Sequence, residues 1–286
     1  MPIGVAAALI LARILPENRN EAPRKFDVLG QTLFILGIGA LCYALIEGNT
    51  LGWQSGPILT LFIVAAVALA LFVLQERRCA QPLLPLGLFR NRMFTFASSV
   101  NFLGLFGLYG AIFLLSLYFQ NINHFSPVET GIRFLALTAS VMAASFYGSV
   151  LAAKVGPKPL IILGLFMTGG ALLSLNLLEV GSSYGVYWWA LVLLGIGVSL
   201  VGASATVAIM TAVPPEIAGT ASGVSNTFRQ VGAVFGVALC GALVSAYMHA
   251  ALPSRLADLE LAHETKEHIS DTFSQGDIAL FPMGTL

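Results

Sequence analysis

Arg229 lies about ten residues inside a long apolar run, with Gln230 beside it. A charge at that depth in a bilayer costs roughly 2.5–3.5 kcal/mol on insertion scales, so it must face protein or water. Two roles suit it. The guanidinium can tether helix-end carbonyls, or it can be the cation of an internal cavity. A second polar set is Ser98, Asn101, Tyr109, Ser116 and Gln120, spaced by 3, 8, 7 and 4 residues. Those steps return to one face of a helix. Leu105 and Ile112 fill the face between them. A lipid-facing stripe is apolar, so this one is expected to face the bundle interior. There it either bonds neighbouring helices or lines an aqueous or substrate path.

Other reactive residue types lead to less. Cys42, Cys79 and Cys240 form neither a disulfide framework nor a metal spacing. His263 and His268 stand five apart in a polar tail and read as a solvated face. Paired carboxylates, metal clusters and nucleophile constellations are missing from the apolar runs, so an enzyme is not expected, nor a cofactor. Arg133 near the outer end of the fourth span is expected to snorkel or to partner Glu129, four residues earlier, or else to contact substrate. Trp53, Trp188 and Trp189 read as interface-belt residues. The pair Gly232 and Gly236 permits close helix packing, as do glycines 104, 107, 110, 195, 197 and 202.

The elements that hold these residues follow from charge spacing. Of 286 residues, 10% are charged and 57% hydrophobic, where a soluble domain carries about 25% charged residues. So much apolar surface cannot be hidden in a soluble fold of this size. Disorder and a basic nucleic-acid face are excluded on the same grounds. Charge-free runs cover 28–46, 48–75, 93–128, 134–153, 159–178 and 180–215, and Arg229 is the one charge in 217–254. Roughly 20 apolar residues span a bilayer core as a helix. The runs lack period-2 alternation, which argues against a β-barrel. The expectation is an all-α, polytopic membrane bundle with seven full spans at 28–47, 57–76, 93–119, 129–153, 159–178, 185–212 and 220–246. An eighth apolar stretch at 2–15 is too short to span and reads as the end of a truncated helix, or else as a short interfacial helix. The tail, 247–286, is acidic and is expected to be partly helical.

Orientation follows from the basic residues. Ten of them (Arg13, Arg19, Arg24, Lys25, Arg77, Arg78, Arg90, Arg92, Lys154 and Lys158) fall on one side, and Arg133, Arg255 and Lys266 on the other. The richer side is expected to be cytoplasmic, which puts the tail outside the cell membrane. The net charge of zero is then a cancellation: +5 inside, −6 outside, and Arg229 between.

Several stretches together resemble one family. They are Glu76-Arg77-Arg78, Pro82-Leu83-Leu84-Pro85-Leu86 and Leu88-Phe89-Arg90-Asn91-Arg92 after the second span, and Leu117-Tyr118-Phe119-Gln120 with Phe125-Ser126-Pro127 after the third. Pro214 through Gly223 and Phe228-Arg229-Gln230-Val231-Gly232 complete the set. The chain resembles the major facilitator superfamily, in its fourteen-helix drug:proton antiporter branch. The loop after the fourth span matches the family's cytoplasmic motif at Leu151, Lys154, Gly156 and Lys158, while Ser149 and Ala153 replace its first glycine and its aspartate. In the family that aspartate belongs to a charge-relay latch between the two halves, so the latch is incomplete here.

The resemblance implies a partial fold. Residues 1–15 would end helix six, 16–27 would be a cytoplasmic linker, and 28–76 the branch's two extra helices. Residues 77–92 would be a cytoplasmic loop, and 93–246 helices nine to thirteen. The implied activity is proton-coupled export of small lipophilic compounds, with the bilayer, such a substrate and a missing N-terminal helical half as partners. A truncated, non-transporting fragment or accessory half is the alternative. That missing half would carry the branch's Gly-Pro motif and its membrane-embedded carboxylate. The chain alone is therefore expected not to perform proton-coupled export. Reconstitution into vesicles tests this: a pH gradient should drive no substrate efflux, and efflux driven by the gradient would contradict it.

Overall fold

The computed structural model describes residues 27–79 and 86–258. The expected truncated helix at 2–15, most of the linker, His263, His268 and the far part of the tail lie outside the described residues. The described residues form seven α-helices: α1 (Val28–Leu51), α2 (Gly56–Arg78), α3 (Arg92–Leu117), α4 (Pro127–Val155), α5 (Pro157–Ser174), α6 (Tyr184–Ala212) and α7 (Ala218–Asp258). All seven are long and apolar enough to cross a membrane. Among the described residues there is no strand. The expected spans match these helices to within a few residues, and α7 continues unbroken into the arm expected after 246.

The ends are set by local chemistry. Asp27 caps α1 by accepting from the Gly30 amide at 2.8 Å. Asn91 accepts from the Met93 amide at 2.9 Å, while its own amide donates to the Ala212 carbonyl at 2.9 Å. That one residue both starts α3 and ties it to the end of α6. Ser126 and Glu129 form a reciprocal capping box ahead of α4, with Pro127 in the first turn. Gly156, at φ 89°, allows the single-residue reversal from α4 into α5. Consecutive helices run in opposite directions. Arg77, Arg78, Arg90, Arg92, Lys154 and Lys158 therefore gather at one end of the bundle, here called the basic end.

Packing is organised on α3 and α6. Helix α3 packs most extensively on α7, α6 packs on both α4 and α5, and α3 meets α6 between them. The α1–α2 hairpin joins this bundle mainly through α1 on α7. Two apolar clusters fill the interior. One, toward the basic end, holds Phe72, Phe94, Val100, Ile161, Val201 and Ile209. The other holds Leu115, Phe119, Leu137, Tyr187, Leu191 and Leu194. Outward faces are apolar too: Phe146 and Phe166 are about three-quarters exposed, at 75% and 77%. Such surface belongs in lipid, where helices satisfy their own backbone groups. This is a multi-pass membrane bundle.

Lipid tails remove the hydrophobic drive between helices, so close backbone contact must replace it. Glycine supplies the room. A Cβ on Gly232 would strike the Phe102 carbonyl oxygen, and one on Gly236 the Phe106 carbonyl oxygen. On α6, a Cβ on Gly195 would meet Ser140 and the Leu137 carbonyl, and one on Gly197 would lie 2.8 Å from the Gly164 carbonyl oxygen of α5. Gly104, Gly107 and Gly202 have ordinary clearance, so their share in packing is smaller. Gly236→Ala should force α7 off α3 and destabilise the bundle by about 1–3 kcal/mol. Gly219→Ala, with nothing within 4 Å of the new methyl, should change little. Thermal unfolding of both variants in one detergent checks the contrast.

Candidate functional site

Consecutive residues of α7 line two different cavities. Side chains at i and i+1 on a helix point about 100° apart. Gln230 lines one cavity and Arg229 the other.

The larger cavity, about 780 Å³, lies between α1, α3 and α7. Its aromatic wall is Tyr109 and Phe113 of α3; Leu45 and Ile46 of α1 and Val234 and Val237 of α7 supply aliphatic walls. Polar groups are few: Asn49, Tyr109, Asn121, Gln230 and Ser245. None of the lining residues is charged. The α1 wall is pinned by Asn49, whose amide donates to the Ala238 carbonyl at 3.3 Å and accepts from the Trp53 indole at 3.2 Å. The Asn49 nitrogen lies 2.5 Å from where a Gly241 Cβ would be, so only glycine admits this contact. Trp53 therefore closes the α1–α2 turn in addition to any interface role. Trp188 and Trp189 are exposed, as belt residues are.

The smaller cavity, about 300 Å³, lies between α6 and α7 nearer the basic end. Its lining includes Thr206, Ser222, Ser225, Asn226 and Arg229. Ser225 is buried and accepts from the Asn101 amide of α3 at 3.1 Å. The Arg229 Nε is buried without a partner among the described residues. No hydrogen bond joins Arg229 to a helix-end carbonyl, so the tether expected as one of its two roles does not form among the described residues. Ser98, Asn101 and Ser204 are nearly or wholly inaccessible, and one oxygen of each has no partner among the described residues.

The α3 stripe thus divides along its length. Ser98 and Asn101 are buried, Asn101 at the α6–α7 junction, Tyr109 opens into the large cavity, Ser116 is half-buried, and Gln120 is exposed. A turn of π-helix over Tyr118–Ile122 offsets the register, so Asn121, not Gln120, reaches the cavity. At the loop motif, Gly156 acts through its backbone, and Leu151 lies along a separate apolar groove between α4 and α6. Lys154 and Lys158 are exposed and make no ion pair among the described residues. Arg133 bonds the Glu129 carbonyl at 3.1 Å and lies 3.6 Å over the Phe125 ring, because Ser126 has claimed the Glu129 carboxylate. Sequence reasoning missed Asn49, Asn121, Thr206, Ser222, Ser225 and Asn226. Only the hydroxyl- and amide-rich run 222–226 signalled a polar face on α7.

Removing either partner of the Asn101–Ser225 bond should loosen α3 from α7. A double-mutant cycle of Asn101→Ala and Ser225→Ala should give a coupling near 0.6 kcal/mol, about the mean for such bonds in membranes. Additive effects would show that the bond carries no stability.

Residues 3–237 match the family model described as Major Facilitator Superfamily. The chain is 36% identical over 261 residues to the multidrug resistance protein Stp of Mycobacterium tuberculosis, covering 90% of this chain and 48% of that protein. It is 34% identical over 260 residues to the methylenomycin A resistance protein of Streptomyces coelicolor, covering 90% and 54%. To the tetracenomycin C resistance and export protein of Streptomyces glaucescens it is 31% identical over 290 aligned positions, covering 100% and 54%. The chain spans about half the length of the curated relatives it matches.

Proposed function

Because this chain belongs to the major facilitator superfamily, we propose that it is the C-terminal portion of a secondary active transporter that exports small lipophilic compounds by proton exchange. The observation that carries this reading is the uncharged, aromatic-walled cavity of about 780 Å³ between α1, α3 and α7. Its volume suits a drug-sized molecule, and a few polar groups among apolar walls are what orient such a ligand. The resistance and export proteins it resembles support the substrate class. Tyr109, Phe113 and Gln230 are the contacts assigned to the substrate; Asn121 continues the path at the end away from the basic residues.

On this reading α1 and α2 are the two extra helices, and α3 to α7 are helices nine to thirteen. The basic end faces the cytoplasm, in a cell membrane. The chain works with an N-terminal helical half. The wall of Ala136, Ala139, Ala143 and Ala144 on α4 suits close approach of a further helix. Among the described residues, every Asp and Glu lies within five residues of a helix end or between helices, in keeping with a proton carrier supplied by that other half.

The full chain in lipid nanodiscs, titrated with Nile red as a neutral lipophilic probe, tests the cavity. Tyr109→Ala and Phe113→Ala should each weaken binding by about 3–10-fold, the equivalent of one aromatic contact. Leu163→Ala, on the exposed face of α5, should leave it unchanged. Equal affinities in all four proteins would reject the cavity as the binding site.

A further inference from the structure

We propose that the cavity of about 300 Å³ between α6 and α7 is a carboxylate-binding site, with Arg229 as its cation and Ser222, Ser225 and Asn226 as neutral donors. The lining carries one positive charge and no acidic residue. A guanidinium partly withdrawn from water needs a counter-charge, and its Nε is both buried and without a partner among the described residues. Ser225 adds an independent indication. It is 6% exposed and lines the cavity. Its oxygen already accepts from Asn101, which leaves its own proton for the cavity. Asn226 and Ser222 present an amide and a hydroxyl on the exposed side.

One fixed cation with neutral donors selects a ligand of one negative charge. The guanidinium fork matches the two oxygens of a carboxylate in a bidentate pair. A phosphate, carrying close to two charges, would ask for a second cation, and none lines the cavity. The carboxylate has two possible sources. It is an acidic side chain from the part of the longer relatives that this chain does not span, or it belongs to a small molecule.

The experiment is calorimetric titration of the full chain in nanodiscs with benzoate, and with benzamide as its neutral counterpart. Wild-type chain should bind benzoate and not benzamide. Arg229→Gln should weaken benzoate binding at least tenfold, and Arg229→Lys should retain part of it, with helical circular dichroism unchanged in both. Benzoate binding that Arg229→Gln leaves intact, equal binding of benzamide, or no binding by the wild-type chain would overturn the proposal. Fusing the N-terminal half of the Mycobacterium tuberculosis relative ahead of the chain separates the sources. Loss of benzoate binding in a fusion that still binds Nile red means that a side-chain carboxylate fills the site. Retained, Arg229-dependent binding means that the site serves a mobile carboxylate. Arg229→Gln should leave Nile red binding unchanged, so a failure of the lipophile cavity and a failure of this site are read separately.

Discussion

The bundle depends on backbone of α7 touching backbone of α3. Gly232 and Gly236 leave no side chain between the helices, and the carbonyls of Phe102 and Phe106 come up against them. In lipid this close approach, with its dispersion and weak Cα–H···O contacts, replaces the hydrophobic drive that holds soluble helices together. Everything near the cavities inherits its register from that seam. It sets Ser225 under the Asn101 amide, turns Arg229 toward α6, and turns Gln230 toward α1. A related device recurs on the other central helix, where Gly195 receives α4 and Gly197 receives α5. Helices α3 and α6 are thus each paired closely through glycine.

The two cavities differ because the two sides of α7 differ. Toward α1 it shows Ala233, Val234, Val237, Ala238 and Gly241; toward α6 it shows Ser222, Ser225, Asn226 and Arg229. An uncharged apolar space and a small cationic one therefore lie about one helix width apart. On the proposed reading, that separation would let a lipophilic ligand be held without a counter-charge, while Arg229 stays available for an anion.

The spans were legible because charges are scarce and clustered: run length alone gives seven helices. Which face of each helix turns inward was much less legible. These helices are apolar nearly all round, as fully embedded helices are, so periodicity carries little information about the inward face. The exceptions were polar or tiny. The Gly232–Gly236 pair marked a packing seam, and the α3 stripe marked an inward face at Ser98, Asn101 and Tyr109. The stripe failed at Gln120, because a π-turn is a tertiary response that no local pattern announces. Asn49 escaped notice because its importance comes from Gly241, nearly two hundred residues away. Arg133 does meet Glu129, four residues earlier, but bonds its carbonyl, because the N-cap Ser126 holds the carboxylate.

The α3–α7 seam can be read directly through a cysteine that is already present. The Cys240 Sγ lies 3.0 Å from where a Cβ on Gly110 would stand, close to the Cβ-to-sulfur separation across a disulfide. Gly110→Cys, with Cys42 and Cys79 replaced by Ser, should therefore oxidise to a bond with Cys240 in membranes treated with a mild oxidant. Gly107→Cys, which faces Leu172 of α5, should not. Mass spectrometry of the unreduced digest gives the answer. A 110–240 linkage alone is the predicted result. No linkage at 110, or an equal one at 107, would contradict the seam on which the two cavities rest.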